Sequence, residues 1–481
     1  MISHKDRKDD TVADEQAQHH RSLQRGAHQP ASNHPLERLP YEILALFFQV
    51  CVTQDKGQPN QFFHDTSKAP WKLTHICARW RAVAIRTPSL WTTIRVSVDA
   101  LETPERSEED VTSLLVSYLQ RSQPLPLSLV LMSEDSLPEH ILQPILDTVQ
   151  RWHDVFIFTH PDDLRRFNGI RGRLPELQAL QIIPTRLGEP FDAPPAMFEI
   201  APKLDTLSLG GHALDLHFAL PWAQVRSFEA NYIDPADVLH LLPSMPDLAV
   251  LKLGRELPEQ PPEDVEGVMV TLSHVHTFTL NVVEGQHASG HPDDLLSHLI
   301  FPALSDLEVE CDVEESIENV RSFIERSECR IEALTLVITF RCRDGLQELF
   351  KVIPHVQRLT VFDGLSMTEM SLLEALVVRP EDPAGVLVPK VEHITLLASK
   401  PLPEEHVQKW LDVFESRVEP AQPQDSDRES DGTPPVCALR SILMGCTSGE
   451  NIVDNEACLE RFHRIMDAGV SVDLWYGPDI F

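Results

Sequence analysis

Basic residues are scarce in this sequence: 41 Lys and Arg stand against 74 Asp and Glu, a formal charge of −33. A surface so acidic repels phosphate backbones and anionic lipid heads, which counts against nucleic acid and membrane as partners. Glycine is scarce as well, 19 residues against 38 prolines, so stiff turns are expected rather than flexible loops. The eight cysteines are scattered without a CxxC pair, which excludes a disulfide framework and a zinc knuckle. No Asn-x-Ser/Thr glycosylation acceptor occurs. The opening MISHKDRKDD carries no apolar signal core, and no apolar run approaches the roughly 18 residues of a membrane span. Together these absences predict a protein of the cytoplasm or nucleus.

Catalytic signatures are missing too. There is no P-loop, GxGxxG, GxSxG or HExxH, and paired carboxylates carry no signal among 74 acids. The run EVECDVEE (308–315) lacks EF-hand spacing and reads as a solvated acidic face. A non-enzymatic chain with no cofactor and no metal is expected.

What is present starts with a hydrophobic fraction of 42 %, ample for a large core. Residues 1–34 are polar, with histidines at 4, 19, 20, 28 and 34, and read as a disordered tail. Structure is expected from LERLPYEILALFFQVCV (36–52), where Pro40 suits a first helical turn and Ile43, Leu44, Phe47, Phe48 and Cys51 share a helical face. After a polar stretch, 53–70, helical spacing returns at Leu73, Ile76, Cys77, Trp80 and Ala84 and stops before Pro88. Arg79, Arg81 and Arg86 then form the solvated side of that helix. Residues 35–95 thus read as a module of about three short helices, too small to be robust without a further surface to cover its apolar face.

A strand-like TTIRVSV (92–98), a helix at 111–122, the alternating PLPLSLVLM (124–132) and a helix at 139–152 come next. Then one motif, L-x-x-L-x-L with Val, Ile and Phe substitutions, takes over. It appears as LQALQI (177–182), LDTLSL (204–209), VRSFEA (225–230), LAVLKL (248–253), VHTFTL (275–280) and LSDLEV (304–309), and further as IEALTL (331–336), VQRLTV (356–361), VEHITL (391–396) and LRSILM (439–444). WHDVFI (152–157) is a weaker copy. The first eight copies start 21 to 29 residues apart, the period of leucine-rich repeats. Several open with Pro, as in APKLDTL and MPDLAVL. Motif positions 4 and 6 point to one side of a strand, so stacked units bury a continuous ridge. The expected fold class is α/β: a curved leucine-rich-repeat-like β/α solenoid over 96–481, with helices such as 314–327 and 344–353 between strands. The Asn or Cys that usually closes the motif is replaced by His212, Glu256 and Asp312, so the repeats are degenerate. A Pro-, Ser- and acid-rich insertion at about 418–436 reads as a disordered loop, and 454–474 as a closing helix and strand.

The stretch 36–91 resembles an F-box, in the variant found in large families of fungal proteins. The matching residues are LPYEIL (39–44), Phe47, ICARWR (76–81), Ala84 and TPSLW (87–91). The resemblance implies a helical clamp that docks on Skp1, the adaptor of cullin-RING ubiquitin ligases, while the rest of the chain holds the protein to be ubiquitinated. It assigns Leu39, Pro40, Ile43, Leu44 and Phe47 to a first Skp1-contact ridge. Ile76, Cys77 and Trp80 fall on the later helix, divided between its packing and the adaptor, and Leu90 and Trp91 pin the module to the next domain.

Target binding is then expected on the strand side of the solenoid, at exposed motif positions including Lys252, Thr277, Glu308, Arg358 and Thr360. The competing reading is a repeat scaffold for protein–protein interaction that has lost the adaptor. His276 and His393, also at exposed motif positions, read as ordinary surface histidines rather than bases.

Overall fold

The structure, a computed structural model, describes residues 39–476 apart from 57–61, 102–106, 135, 186–192, 212, 214–216, 234, 256–266, 283–293, 312–313, 339–344, 364–372, 374–375, 380–385, 399–401, 419–435 and 447–454. The tail expected at 1–34 therefore lies outside the described residues. So does the loop expected at about 418–436, apart from its two end residues, and so do His212, Glu256 and Asp312.

The chain forms two compact units, one of residues up to Thr92 with Ser113–Leu125, the other of Thr93–Thr112 and everything from Pro126 on. The first holds α1 (Tyr41–Lys56), α2 (Trp71–Ile76), α3 (Ala78–Ile85) and a 3-10 turn at Pro88–Trp91. The single later helix read from the sequence is two helices, broken at Cys77. That residue is extended (φ −157°, ψ 169°) and caps α3, its Sγ accepting the Trp80 amide at 3.4 Å. Helix α4 (Glu108–Arg121) enters this unit with Ser113. From it Tyr118 packs edge-on against Trp71 and Trp91, with ring centroids 6.2 and 5.0 Å away, and the two indoles are 5.0 Å apart. The Arg121 guanidinium lies 4.6 and 4.5 Å from the same indoles, a cation held between two π faces. Both indole N–H groups donate to backbone carbonyls, Trp71 to Phe63 and Trp91 to Ala84. Burial pushes the Tyr118 phenol above its ordinary pKa.

The second unit is built on one 14-stranded, wholly parallel, open sheet whose strands follow chain order. They are β1 (Thr93–Ser97), β2 (Leu127–Met132), β3 (Trp152–Thr159), β4 (Ala179–Pro184), β5 (Thr206–Leu209), β6 (Ser227–Ile233) and β7 (Val250–Arg255), then β8 (Thr277–Val282), β9 (Asp306–Cys311), β10 (Ala333–Ile338), β11 (Arg358–Asp363), β12 (His393–Ala398), β13 (Ser441–Cys446) and β14 (Ser471–Tyr476). Helices lie between them: α5 (Glu139–Leu146), α6 (Pro161–Arg166), α7 (Pro235–Leu241), α8 (Glu314–Ser327), α9 (Gly345–Val352), α10 (Glu404–Val418) and α11 (Glu456–Asp467). The helix expected over 139–152 ends at Leu146, because the chain turns through Val149–Arg151 and Trp152 already opens β3 with its side chain wholly buried.

Every strand of the repeated motif is made the same way. The first motif position, from Leu177, Leu204 and Val225 through Val391 and Leu439, is at most 4 % exposed. Positions 4 and 6, such as Leu207 and Leu209 or Leu334 and Leu336, are buried on one side of the sheet. The Pro-opened turns close with an i to i+3 bond, the amides of Leu204, Leu248, Leu304 and Val356 donating to the carbonyls of Ala201, Met245, Phe301 and Ile353. Pro at the second position of such a turn is preorganised by its fixed φ. Helix α8 adds Ile317, Val320, Phe323 and Ile324 to the core, and Phe323 meets Phe278 and Phe301 at 5.9 and 5.6 Å.

One buried cation stands apart. Arg417, at the end of α10 and 1 % exposed, donates to the carbonyls of Leu376, Leu387 and Val388 at 2.8–3.1 Å, with no carboxylate among those partners. Burial lowers its pKa to about 10, so it stays charged at neutral pH. Because the folded value lies below the unfolded one, the cost of burying the charge is fully present below pH 10 and is relieved only above it. Arg417→Met is expected to leave three buried carbonyls unpaired and to lower unfolding free energy by about 3 kcal/mol. Urea denaturation monitored by circular dichroism measures the loss.

Candidate functional site

Helix α1 carries two apolar faces. Leu44, Phe48 and Val52, spaced by four, are 0–6 % exposed and form its inner side. Ile43, Leu46, Phe47 and Val50, at i, i+3, i+4 and i+7, are 44–57 % exposed, a stripe along the outer side. Tyr41 extends it at one end, and Ile76 on α2 and Ile85 on α3 are exposed as well. Of the ten large hydrophobic residues exposed among the described residues, these seven lie in the first unit. Isolated exposed apolar residues need no explanation; a contiguous helical stripe marks a surface meant to be covered.

The stripe is held rigidly from beneath. Trp80, half-buried, meets Phe47 and Phe48 with ring centroids 6.2 and 4.8 Å away, tying the outer face of α1 to its inner one. Arg79 places its guanidinium 5.5 Å from the Tyr41 ring and donates to the Leu39 carbonyl, fixing the start of α1. Pro40 is exposed and its carbonyl accepts the Leu44 amide at 3.0 Å. Gln49 reaches Ser89 at 2.7 Å, so the TPSLW turn is fastened to the same helix.

Of the residues expected to meet a partner, Pro40, Ile43, Phe47, Ile76 and Cys77 are exposed, and Leu39 and Trp80 are half-buried. Leu44 requires correction: it is wholly buried, and its side chain packs the module instead of facing out. Tyr41, Leu46, Val50 and Ile85 are exposed apolar residues that sequence reasoning passed over. Leu46 and Val50 were legible as the i+3 and i+7 neighbours of Ile43.

The second candidate surface is the side of the sheet opposite the buried motif positions. Strand register aligns Ser208, Glu229, Lys252, Thr279, Glu308, Thr335, Thr360 and Thr395 in one row across β5 to β12. A parallel row holds Thr277, Asp306, Ala333, Arg358, His393 and Ser441. Lys252, Thr277, Glu308, Arg358 and Thr360 therefore share one face. Lys252 and Arg358 are exposed, the other three half-buried. Small Ala333 lets Arg358 reach over β10 to Asp306, 3.7 Å away. Neighbouring Thr279 is 9 % exposed and donates to Glu308 at 3.4 Å. His393 Nδ1 lies 2.6 Å from Ser441 Oγ, and His276 is exposed beside Thr277.

No protein-family model matches the chain, and no curated protein matches it. Among the described residues no group of three or more His, Cys, Asp or Glu is placed to hold a metal, and none of the cysteines forms a disulfide. Within the same residues no helix is long and apolar enough to cross a membrane. The chemistry the two surfaces offer is desolvation of an apolar helical stripe and mixed polar contact on a strand face.

The two faces of α1 predict opposite responses to substitution. Leu46→Glu and Val50→Glu are expected to change unfolding free energy by less than about 0.5 kcal/mol, whereas Leu44→Ala and Phe48→Ala cost about 2–5 kcal/mol. Chemical denaturation of the four variants reads the difference.

Proposed function

We propose that the chain is the non-catalytic substrate receptor of an Skp1–cullin ubiquitin ligase. On this reading the first unit is an F-box-like module that docks on Skp1, and the second is a degenerate leucine-rich-repeat solenoid that holds the target protein. The reading is carried by the exposed stripe of Ile43, Leu46, Phe47 and Val50 on α1. A partner that buries it supplies the apolar cover that the module lacks. The motif resemblance over 36–91 names Skp1 as that partner, and the strand face with Lys252, Thr277, Glu308, Arg358 and Thr360 is the surface left for a target. The receptor then acts in the cytoplasm or nucleus by proximity. Holding the target beside a charged conjugating enzyme removes translational and rotational entropy from the lysine's attack, and the receptor itself performs no chemistry.

Purified Skp1 tests the assignment in a binding titration of the wild-type chain against Ile43→Asp/Phe47→Asp. Each buried apolar side chain contributes about 1.5 kcal/mol or more, so the double variant is expected to bind on the order of 100-fold more weakly. Equal affinity of the two proteins, or no binding by the wild type, would leave the repeat-scaffold reading in its place.

A further inference from the structure

A cleft of about 280 Å³ lies in the second unit between Phe218 and Trp222 on one side and helix α7 on the other. Phe218, 5 % exposed, forms part of its floor, and half-buried Trp222 and Leu241 form its walls. His217, Asp237 and His240, all exposed, line its mouth. The Trp222 ring is fixed edge-on against wholly buried Phe228, with centroids 6.0 Å apart at 84°. No hydrogen-bond partner for the Trp222 indole N–H or the His240 imidazole occurs among the described residues. His217 adopts the left-handed backbone region, φ +50°, a conformation that non-glycine residues adopt uncommonly.

We propose that this cleft binds a small aromatic amine in its protonated form. At about 280 Å³ the cleft is on the scale of a one- or two-ring molecule rather than a peptide. An apolar floor and walls favour an apolar body with a few polar groups at one end. The charge at that end is set by its surroundings. Among the described lining residues Asp237 is the one fully charged side chain with histidine counted neutral, two aromatic residues, Phe218 and Trp222, line the same space and aromatic rings attract cations, and the net charge of −33 concentrates cations around the whole molecule. A carboxylate has acceptor sites for several donors at once, so an ammonium group can join the contacts that Asp237 already makes. Neither proposed docking surface uses these residues, and the inference does not depend on the ligase reading.

Tryptamine is a suitable probe, titrated calorimetrically into the full chain beside its neutral analogue tryptophol and the anionic indole-3-acetate. Saturable one-to-one binding of tryptamine is expected, about tenfold weaker for tryptophol and absent for indole-3-acetate. Asp237→Asn, an exposed substitution that leaves the core untouched, is expected to lower tryptamine to the tryptophol level without altering tryptophol. Trp222→Leu, checked for an unchanged melting temperature, weakens both. The proposal is overturned if tryptamine does not saturate, if tryptophol binds equally well, or if Asp237→Asn binds tryptamine as the wild type does.

Discussion

One backbone arrangement recurs at nine successive steps of the large sheet, from β4–β5 to β12–β13, and the order of that stretch depends on it. At the second motif position a single carbonyl accepts from two successive amides of the next strand. Asp205 accepts from Arg226 and Ser227, Arg226 from Ala249 and Val250, and Ala249 from His276 and Thr277, and the series continues to Glu392, which accepts from Arg440 and Ser441. Distances stay within 2.8–3.3 Å. The arrangement engages no side chain, so it does not depend on which residue follows the motif in each unit. It also fixes register, and register decides which side chains enter the core, because a one-residue slip would turn Leu207 and Leu209 outward.

This explains what was legible in the sequence. Apolar residues at motif positions 1, 4 and 6 report the core directly, so the parallel strands β4 to β13 fall where the motif placed them. The earlier strands are harder to see. WHDVFI read as a weak copy yet forms a full strand, and TTIRVSV and PLPLSLVLM belong to the same sheet without showing the motif. Periodicity also overran two boundaries. It ran through Cys77, where an extended residue splits the helix, and past Leu146, where Trp152 claims the chain for β3. The break at Cys77 has no Pro or Gly beside it, whereas the helix that ends at Leu146 holds Pro144 two residues before its end.

The candidate sites were legible only in part, for a related reason. A helix whose apolar residues face two ways gives a blurred period, so α1 read as one face containing Leu44 and Phe47 together. In the structure those neighbours point apart, one into the module and one away from it. The strand face was easier, because strict alternation separates inside from outside. Partial burial of Thr277, Glu308 and Thr360 reflects side chains crowded by their row neighbours, a property that a single strand's pattern does not contain. The cleft beside α7 left no trace in the pattern, since its residues come from two successive connections and meet only after the strands have paired.

The paired-acceptor carbonyl has a further consequence, for how such a chain accommodates added sequence. His393 and Ser441 are neighbours on β12 and β13 although 48 residues separate them, against 29 for Thr279 and Glu308 on β8 and β9. The Glu392 carbonyl nevertheless receives its two amides as the eight before it do. Closing the longer connection costs only about 0.5 kcal/mol more, since loop entropy grows with the logarithm of length. Extra sequence in one connection therefore imposes almost no thermodynamic burden on the sheet, and the spaces between strands are places where such a protein gains new segments without relearning its fold.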